Sequence, residues 1–267
     1  MFDLNLWFIG LAPILALAVA TWVVSVVKHD VSIVDSIWSL LILGAGFAYA
    51  FVHGATEPRT LLVLFLATFW ALRLSLHIAV RAWGEPEDRR YQAIRARNQP
   101  GFTLKSLYLV FALQGVLAWI ISLPLLAVFT STQPLGWLDV LGVALWLIGF
   151  LCESIADWQL RRFQAKPANR GCVLDSGLWR HTRHPNYFGE FLVWWSFFLI
   201  ALSAGGWWSV ASPLLMSVLL MRVSGVTLLE QDIAERRPAY RQYIQRTNAF
   251  FPGPRRAAQT SFKEAQS

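Results

Sequence analysis

The sequence predicts an all-α polytopic membrane protein of about seven transmembrane helices, and three observations lead there. Long uncharged windows come first: 6–27 and 106–138 carry no formal charge, and 31–52 carries only Asp35. About 18 consecutive apolar residues already mark a span. Second, hydrophobic residues make up 56% of the chain and charged residues only 15%, with a mean hydropathy of +0.47. A soluble domain carries about a quarter charged residues. Third, the basic residues gather in alternate connections, as membrane topology requires.

The spans follow in order as 6–27, 31–53, 60–81, 106–130, 137–160, 187–203 and 207–222. The last two lie in one uncharged stretch, 191–221, but Ser203-Ala204-Gly205-Gly206 is a turn signal. Trp207-Trp208 after it suits an interfacial anchor. With seven spans, segments 82–105, 161–186 and 222–267 share one side and hold five, six and eight Lys or Arg, 19 of the 23 in the chain. The opposite connections carry Arg59 alone. Merging the last two spans would put the final basic segment on the wrong face. The expected topology therefore has the N-terminus outside and the C-terminus in the cytoplasm, with the polar site facing the cytoplasm.

That topology accounts for the net charge of +7 and the isoelectric point near 9.8 without nucleic acid. No basic leader precedes the first apolar stretch, which is long enough to span rather than be cleaved. Cys152 and Cys172 form no CxxC pair and read as reduced thiols. The expected organisation is one membrane domain over 1–254, with a C-terminal signature from about 150, and a flexible polar tail over 255–267. Tyr240, Tyr243, Ile244, Phe250 and Phe251 among arginines suit a segment lying against headgroups and helix ends.

Ionisable groups inside spans are costly and need a partner or a function. Asp35 lies in the second span. Arg73, His77 and Arg81 share one face of the third at four-residue spacing, and Glu153, Asp157 and Arg161 repeat that spacing on the fifth. Glu190 follows Asn186 by four residues at the start of the sixth. Read as structural ion pairs, they join Asp35 to Arg73 and Asp157 to Arg161. Taken together they predict one polar cavity open to the cytoplasm, and hence a ligand site.

The stretch "GLWRHTRHPNYFGE", 177–190, sharpens the ligand class. It sets guanidinium, imidazole, amide and aromatic groups at the mouth of a helix that begins at Pro185. Arginine grips phosphate in bidentate fashion, rings stack on a base, and a helix N-terminus favours anions. A nucleotide with several phosphates fits that mixture. No GxGxxG, Walker A, HExxH or GxSxG motif is present, so any nucleotide is held by a membrane-embedded pocket. His181 and His184 form an HxxH, but Pro185 breaks the helix that would align them, and no metal is expected.

The same stretch, followed by Trp194-Trp195, resembles the C-terminal signature of the bacterial steroid 5α-reductase-like family (DUF1295). Its superfamily includes sterol reductases and isoprenylcysteine carboxyl methyltransferases. "SIVDSIW" (33–38 and its lead-in), "LRLSLH" (72–77), "EDRRY" (87–91), "ESIADWQLRRF" (153–163) and "SGVTLLE" (224–230) extend the resemblance over nearly the whole chain. It implies an enzyme in which helices enclose NADPH and a hydrophobic, steroid-like or isoprenoid-like substrate enters from the bilayer. It also implies cofactor contacts by Arg73, Asp157, Arg183, His184, Asn186, Tyr187 and Glu190, with Arg161, Lys166 and Arg180 as further candidates for the phosphates.

Steroid reductases polarise the substrate carbonyl with a glutamate on span two and a tyrosine on span three. Here Asp35 stands on span two, and Trp70, which has no acidic proton, stands at the tyrosine position. Asp35, His77 and Tyr91 are therefore the expected catalytic residues. The expectation is NADPH-dependent reduction of an activated C=C bond, with membrane lipids as further partners and no nucleic acid. The alternative is an S-adenosylmethionine-dependent membrane methyltransferase of the isoprenylcysteine type. A transporter would leave inverted repeats, and none is visible.

Overall fold

The computed structural model describes residues 2–54, 56–223, 225–230, 233–236 and 238–256. The chain is an all-α polytopic membrane protein: no strand occurs among the described residues, and five helices are long and apolar enough to cross a bilayer. Helices suit that setting because each satisfies its own backbone hydrogen bonds away from water.

Helix α1 (Leu4–Lys28) starts where Asp3 accepts the Leu6 N–H at 3.0 Å and ends where His29 turns left-handed at φ 54°. Helices α2 (Ile33–His53) and α3 (Pro58–Ala82) follow, the latter opening on a proline where no N–H is required. A short polar helix α4 (Arg89–Arg97), capped by Asp88, occupies part of what the sequence leaves as a basic connection. Helix α5 (Phe102–Ile121) includes a π-turn over Leu107–Ala112.

The expected span 106–130 is not one helix. It breaks at Ser122, and α6 (Leu123–Phe129) restarts with Pro124 in its first turn. Pro124 has no N–H to offer the preceding turn, and its ring crowds that turn, an effect invisible to hydropathy. Helices α7 (Trp137–Gln164), α8 (Pro185–Ser203) and α9 (Trp207–Val223) match the remaining expected spans to within a few residues. Three short helices close the described chain: α10 (Val226–Glu230), α11 (Ile233–Arg236) and α12 (Tyr240–Arg246).

The chain divides into two compact units, Met1–Val143 with Phe197–Pro213, and Ala144–Ser196 with Leu214–Ser267. In the first, Ile14, Leu41, Ile42, Trp70, Ile121 and Leu125 are fully buried. Trp7 and Trp119 stack at 3.8 Å, and each indole N–H donates to the other residue's carbonyl, at 3.3 and 2.8 Å. That reciprocal lock joins α1 to α5. Arg59, the lone cation of the expected outer connections, is only 3% exposed. Its Nε and Nη2 each reach an Asp139 carboxylate oxygen at 2.8 Å, and its Nη1 and Nη2 also donate to the Gln133 and Pro134 carbonyls. Arg59 is thus a buried strut rather than a loop charge.

In the second unit, α7 and α8 cross backbone to backbone. A Cβ at Gly189 would stand 2.6 Å from the Gly149 carbonyl oxygen and 2.5 Å from the Glu153 nitrogen. Only glycine permits that approach, and small residues at such crossings are the usual device for packing helices in lipid. The crossing sets the α7 face carrying Glu153 and Asp157 against the α8 face carrying Asn186 and Glu190.

Candidate functional site

The first unit holds one cluster of expected catalytic residues. Asp35, one turn into α2, accepts a hydrogen bond from the Tyr91 hydroxyl at 2.6 Å and an ion pair from Arg90 Nη2 at 2.8 Å. Arg90 is itself steadied by Asp88, whose Oδ1 accepts both the Arg90 backbone N–H at 2.9 Å and its Nε at 3.0 Å. Burial would raise the Asp88 carboxyl, but those bonds from Arg90 outweigh it and hold it below the ordinary range. A neighbouring pair repeats the pattern: Glu87 holds Arg95 at 2.7 Å and accepts the Val31 N–H at 2.9 Å, fixing the start of α2 against α4.

Asp35 is therefore tied to α4, to Arg90 and Tyr91, where the sequence suggested Arg73. Tyr91 is buried, and its hydroxyl is pushed well above the ordinary phenol range, first by burial and then by the negative charge of Asp35. It stays protonated at any working pH, and so remains a hydrogen-bond donor. Trp70 is 1% exposed and packed in the core. Arg73 and His77 lie half-buried on one face of α3.

The second unit holds most of the expected cofactor residues. The Asn186 amide, at the start of α8, donates to Asp157 of α7 at 3.2 Å. Asp157 is 6% exposed, and Tyr187 is half-buried beside it in sequence to Asn186. Glu190 accepts the Trp194 indole N–H at 3.0 Å one turn further on. Arg161, Lys166 and Arg180 are exposed and engage no acid among the described residues.

Arg183 and His184 do something the sequence did not suggest. Arg183 grips Glu230 in bidentate fashion, both contacts at 2.7 Å, and its Nη1 donates to the Ile244 and Thr247 carbonyls. His184 Nε2 lies 2.9 Å from Glu230, and its ring stacks in parallel on Tyr187 with centroids 5.6 Å apart. Burial would lift the Glu230 carboxyl, yet hydrogen bonds from His184 and Arg183 and the Arg183 charge hold it down to about 2. These two side chains are taken up by Glu230 and by backbone carbonyls, so they order the chain rather than standing open to a ligand.

The rest of the signature is bound the same way. The Thr182 hydroxyl donates to the Phe250 carbonyl at 2.8 Å, the Arg183 N–H to Asn248 at 2.9 Å, and the Gly253 N–H returns to His181 at 3.0 Å. Tyr243 donates to the Trp179 carbonyl at 2.5 Å. The C-terminal segment therefore folds onto the signature loop instead of lying apart from it. Past Pro254, Arg255 pairs with Asp175 and the Arg256 N–H reaches Arg246. The remainder of the expected tail, 257–267, lies outside the described residues.

Glu230 and Arg90 carry these contacts and were not among the expected site residues, while Tyr243 was expected only to lie against headgroups and helix ends. A signal existed for Glu230, an acid closing an apolar run inside a basic segment, but its partners lie 46 and 47 residues away. Comparison with known proteins agrees with the extent of the pattern. An uncharacterised protein of Schizosaccharomyces pombe is 24% identical over 285 residues, covering 94% of this chain and 81% of its own length. No solved structure matches. A family profile described as a protein of unknown function, DUF1295, matches residues 21–247. The chain belongs to the DUF1295 family.

Proposed function

We propose that the protein is a membrane-embedded, NADPH-dependent reductase of an activated C=C bond in a hydrophobic substrate, related in chemistry to steroid 5α-reductases. In this reading it sits in a bacterial inner membrane, with the cofactor-binding segment on the cytoplasmic side. The observation that carries the reading is the 2.6 Å bond between Tyr91 and Asp35. A buried phenol held by a carboxylate is the donor that reduction of an enone needs, and Trp70 cannot supply one.

The cofactor would supply a hydride to the β-carbon. A substrate carbonyl oxygen that gains charge during such a reduction would need a hydrogen bond. Tyr91 gives that bond by turning its hydroxyl from Asp35 to the oxygen, and Arg90 keeps the vacated carboxylate neutralised. His77, half-buried on α3, is the second candidate donor. The α-carbon then takes its proton from solvent or from a protonated side chain.

The second unit's residues fit a dinucleotide in their chemistry. Asp157 and Asn186 form a carboxylate–amide pair suited to amide or hydroxyl groups, Tyr187 offers a ring, and Arg161, Lys166 and Arg180 offer cations with no acidic partner among the described residues. Glu190 belongs to the same unit, whereas Arg73, also expected at the cofactor, lies on α3 in the first unit. Arg183 and His184 act on the site indirectly, by holding the loop that presents Asn186.

Membranes containing the overproduced protein, given a lipid extract and NADPH deuterated at the transferable position, test this reading. The expected result is a lipid product that carries one deuterium and has lost one double bond. Methyl transfer from S-adenosylmethionine with no deuterium incorporation would replace the reading with the methyltransferase alternative.

A further inference from the structure

The lipid-facing stripe of α7 does not end in solvent. Leu147, Leu151 and Ile155 are about half-exposed and continue at helical spacing into Trp158, 56% exposed, and then Arg162. Arg162 lies over the Trp158 ring with its guanidinium carbon 5.3 Å from the centroid. Beyond the pair, a groove of about 200 Å³ is lined by Trp158, Arg162, Phe163, Lys166, Asn169 and Ser176.

We infer that this groove binds the headgroup of an anionic glycerophospholipid, whose acyl chain lies along the α7 stripe. Three features favour that occupant over a free anion. The apolar strip leads without interruption into an aromatic ring and then into cations, the order a lipid presents from tail to headgroup. Arg162 and Lys166 have no acidic partner among the described residues, and the nearby Asp175 is taken up by Arg255. The groove also sits at the C-terminal end of α7, where the helix dipole repels anions, so binding there rests on the side-chain cations and on a tail that anchors the ligand. The contact with Trp158 holds the Arg162 guanidinium over the ring, and its planar fork suits bidentate contact with a phosphate. The Ser176 hydroxyl and Lys166 complete the donor set. Lys166 would serve a nucleotide phosphate equally well, so the test relies on Trp158 and Arg162.

The test places the full-length protein in nanodiscs of phosphatidylcholine with a minor fraction of phosphatidylglycerol of the same acyl composition, and measures retained lipid by native mass spectrometry. Wild type is expected to retain phosphatidylglycerol in excess of its mole fraction. Arg162→Gln and Trp158→Leu are expected to lower that excess, Arg162→Gln by about fivefold, as for one basic residue at a charged membrane surface. Both positions are exposed, and an unchanged elution profile certifies folding. NADPH titration of the same variants separates the sources of phosphate: it is expected to match wild type. A wild-type protein without phosphatidylglycerol excess overturns the inference, and so does a variant that keeps the excess, whatever its NADPH binding.

Discussion

Tyr91 of α4 donates its hydroxyl hydrogen to Asp35 of α2 across 2.6 Å, although the two residues are 56 apart in sequence. Arg90 closes on the same carboxylate from the neighbouring position. Tyr91→Phe removes one donor and little volume. If the phenol meets the developing oxyanion, turnover falls on the order of 100-fold, with NADPH affinity kept, since one such donor contributes about that much. Single-turnover measurement beside an NADPH titration checks the split. His77→Ala with a similar loss would move the donor role to α3.

Asp35→Asn should act differently. The amide still accepts from Tyr91, but Arg90 loses its charged partner while remaining beside Asp88. Turnover is expected to fall less than in Tyr91→Phe. Asp35→Ala, which leaves Tyr91 without its holder, should cost as much as Tyr91→Phe. An Asp35→Ala enzyme at the wild-type rate would show that the pair is only structural.

Glu230 is the keystone of the C-terminal segment. Removing its charge strands Arg183, 8% exposed, opposite a neutral group. Glu230→Ala is expected to destabilise the second unit by about 3 kcal/mol, the usual cost of breaking a buried pair from one side. It should also expose the segment after Glu230 to protease. Glu230→Gln should lie between, because the amide still accepts one hydrogen bond.

The same residue sets a pH dependence. Its carboxyl falls from an ordinary 4.5 to about 2 in the folded chain. A depressed carboxyl contributes stability that is fully present above 4.5 and is lost as pH falls from 4.5 through about 2. Thermal melts in detergent should therefore show Glu230-dependent stability eroding across that window. Glu230→Gln should flatten that component of the profile.

Arg59 and Asp139 test the buried strut. Arg59→Lys keeps the charge and loses the fork that reaches Asp139 and two carbonyls at once. It is expected to lower the melting temperature nearly as much as Arg59→Ala, while NADPH binding to the folded fraction is unchanged.

The spans were legible because each holds a long, predominantly apolar window, and hydropathy reads that property directly. The break at Ser122 was not, since Pro124 leaves the apolar count untouched and acts only through its missing N–H. Helix α4 was overlooked because "RRYQAIRAR" carries no apolar stripe, and the caps and ion pairs that hold it come from Asp88, Asp35 and Glu87. Asp35 stood out as a charge in a span, yet the ion-pair reading joined it to Arg73, because its partner in space belongs to a connection treated as a loop. Arg183 and His184 stood out for their chemistry. What their donors face depends on Glu230 and on a C-terminal segment whose return no local pattern announces.

In the proposed function the second unit, built around Asp157 and Asn186, binds a nicotinamide dinucleotide. Titrating detergent-purified protein with NADPH and with S-adenosylmethionine, read by quenching of its tryptophans, tests it most directly. Saturable quenching by NADPH, weakened at least tenfold in both Asp157→Ala and Asn186→Leu, is the predicted result. Saturation by S-adenosylmethionine alone, or NADPH affinity unmoved by either substitution, would contradict it.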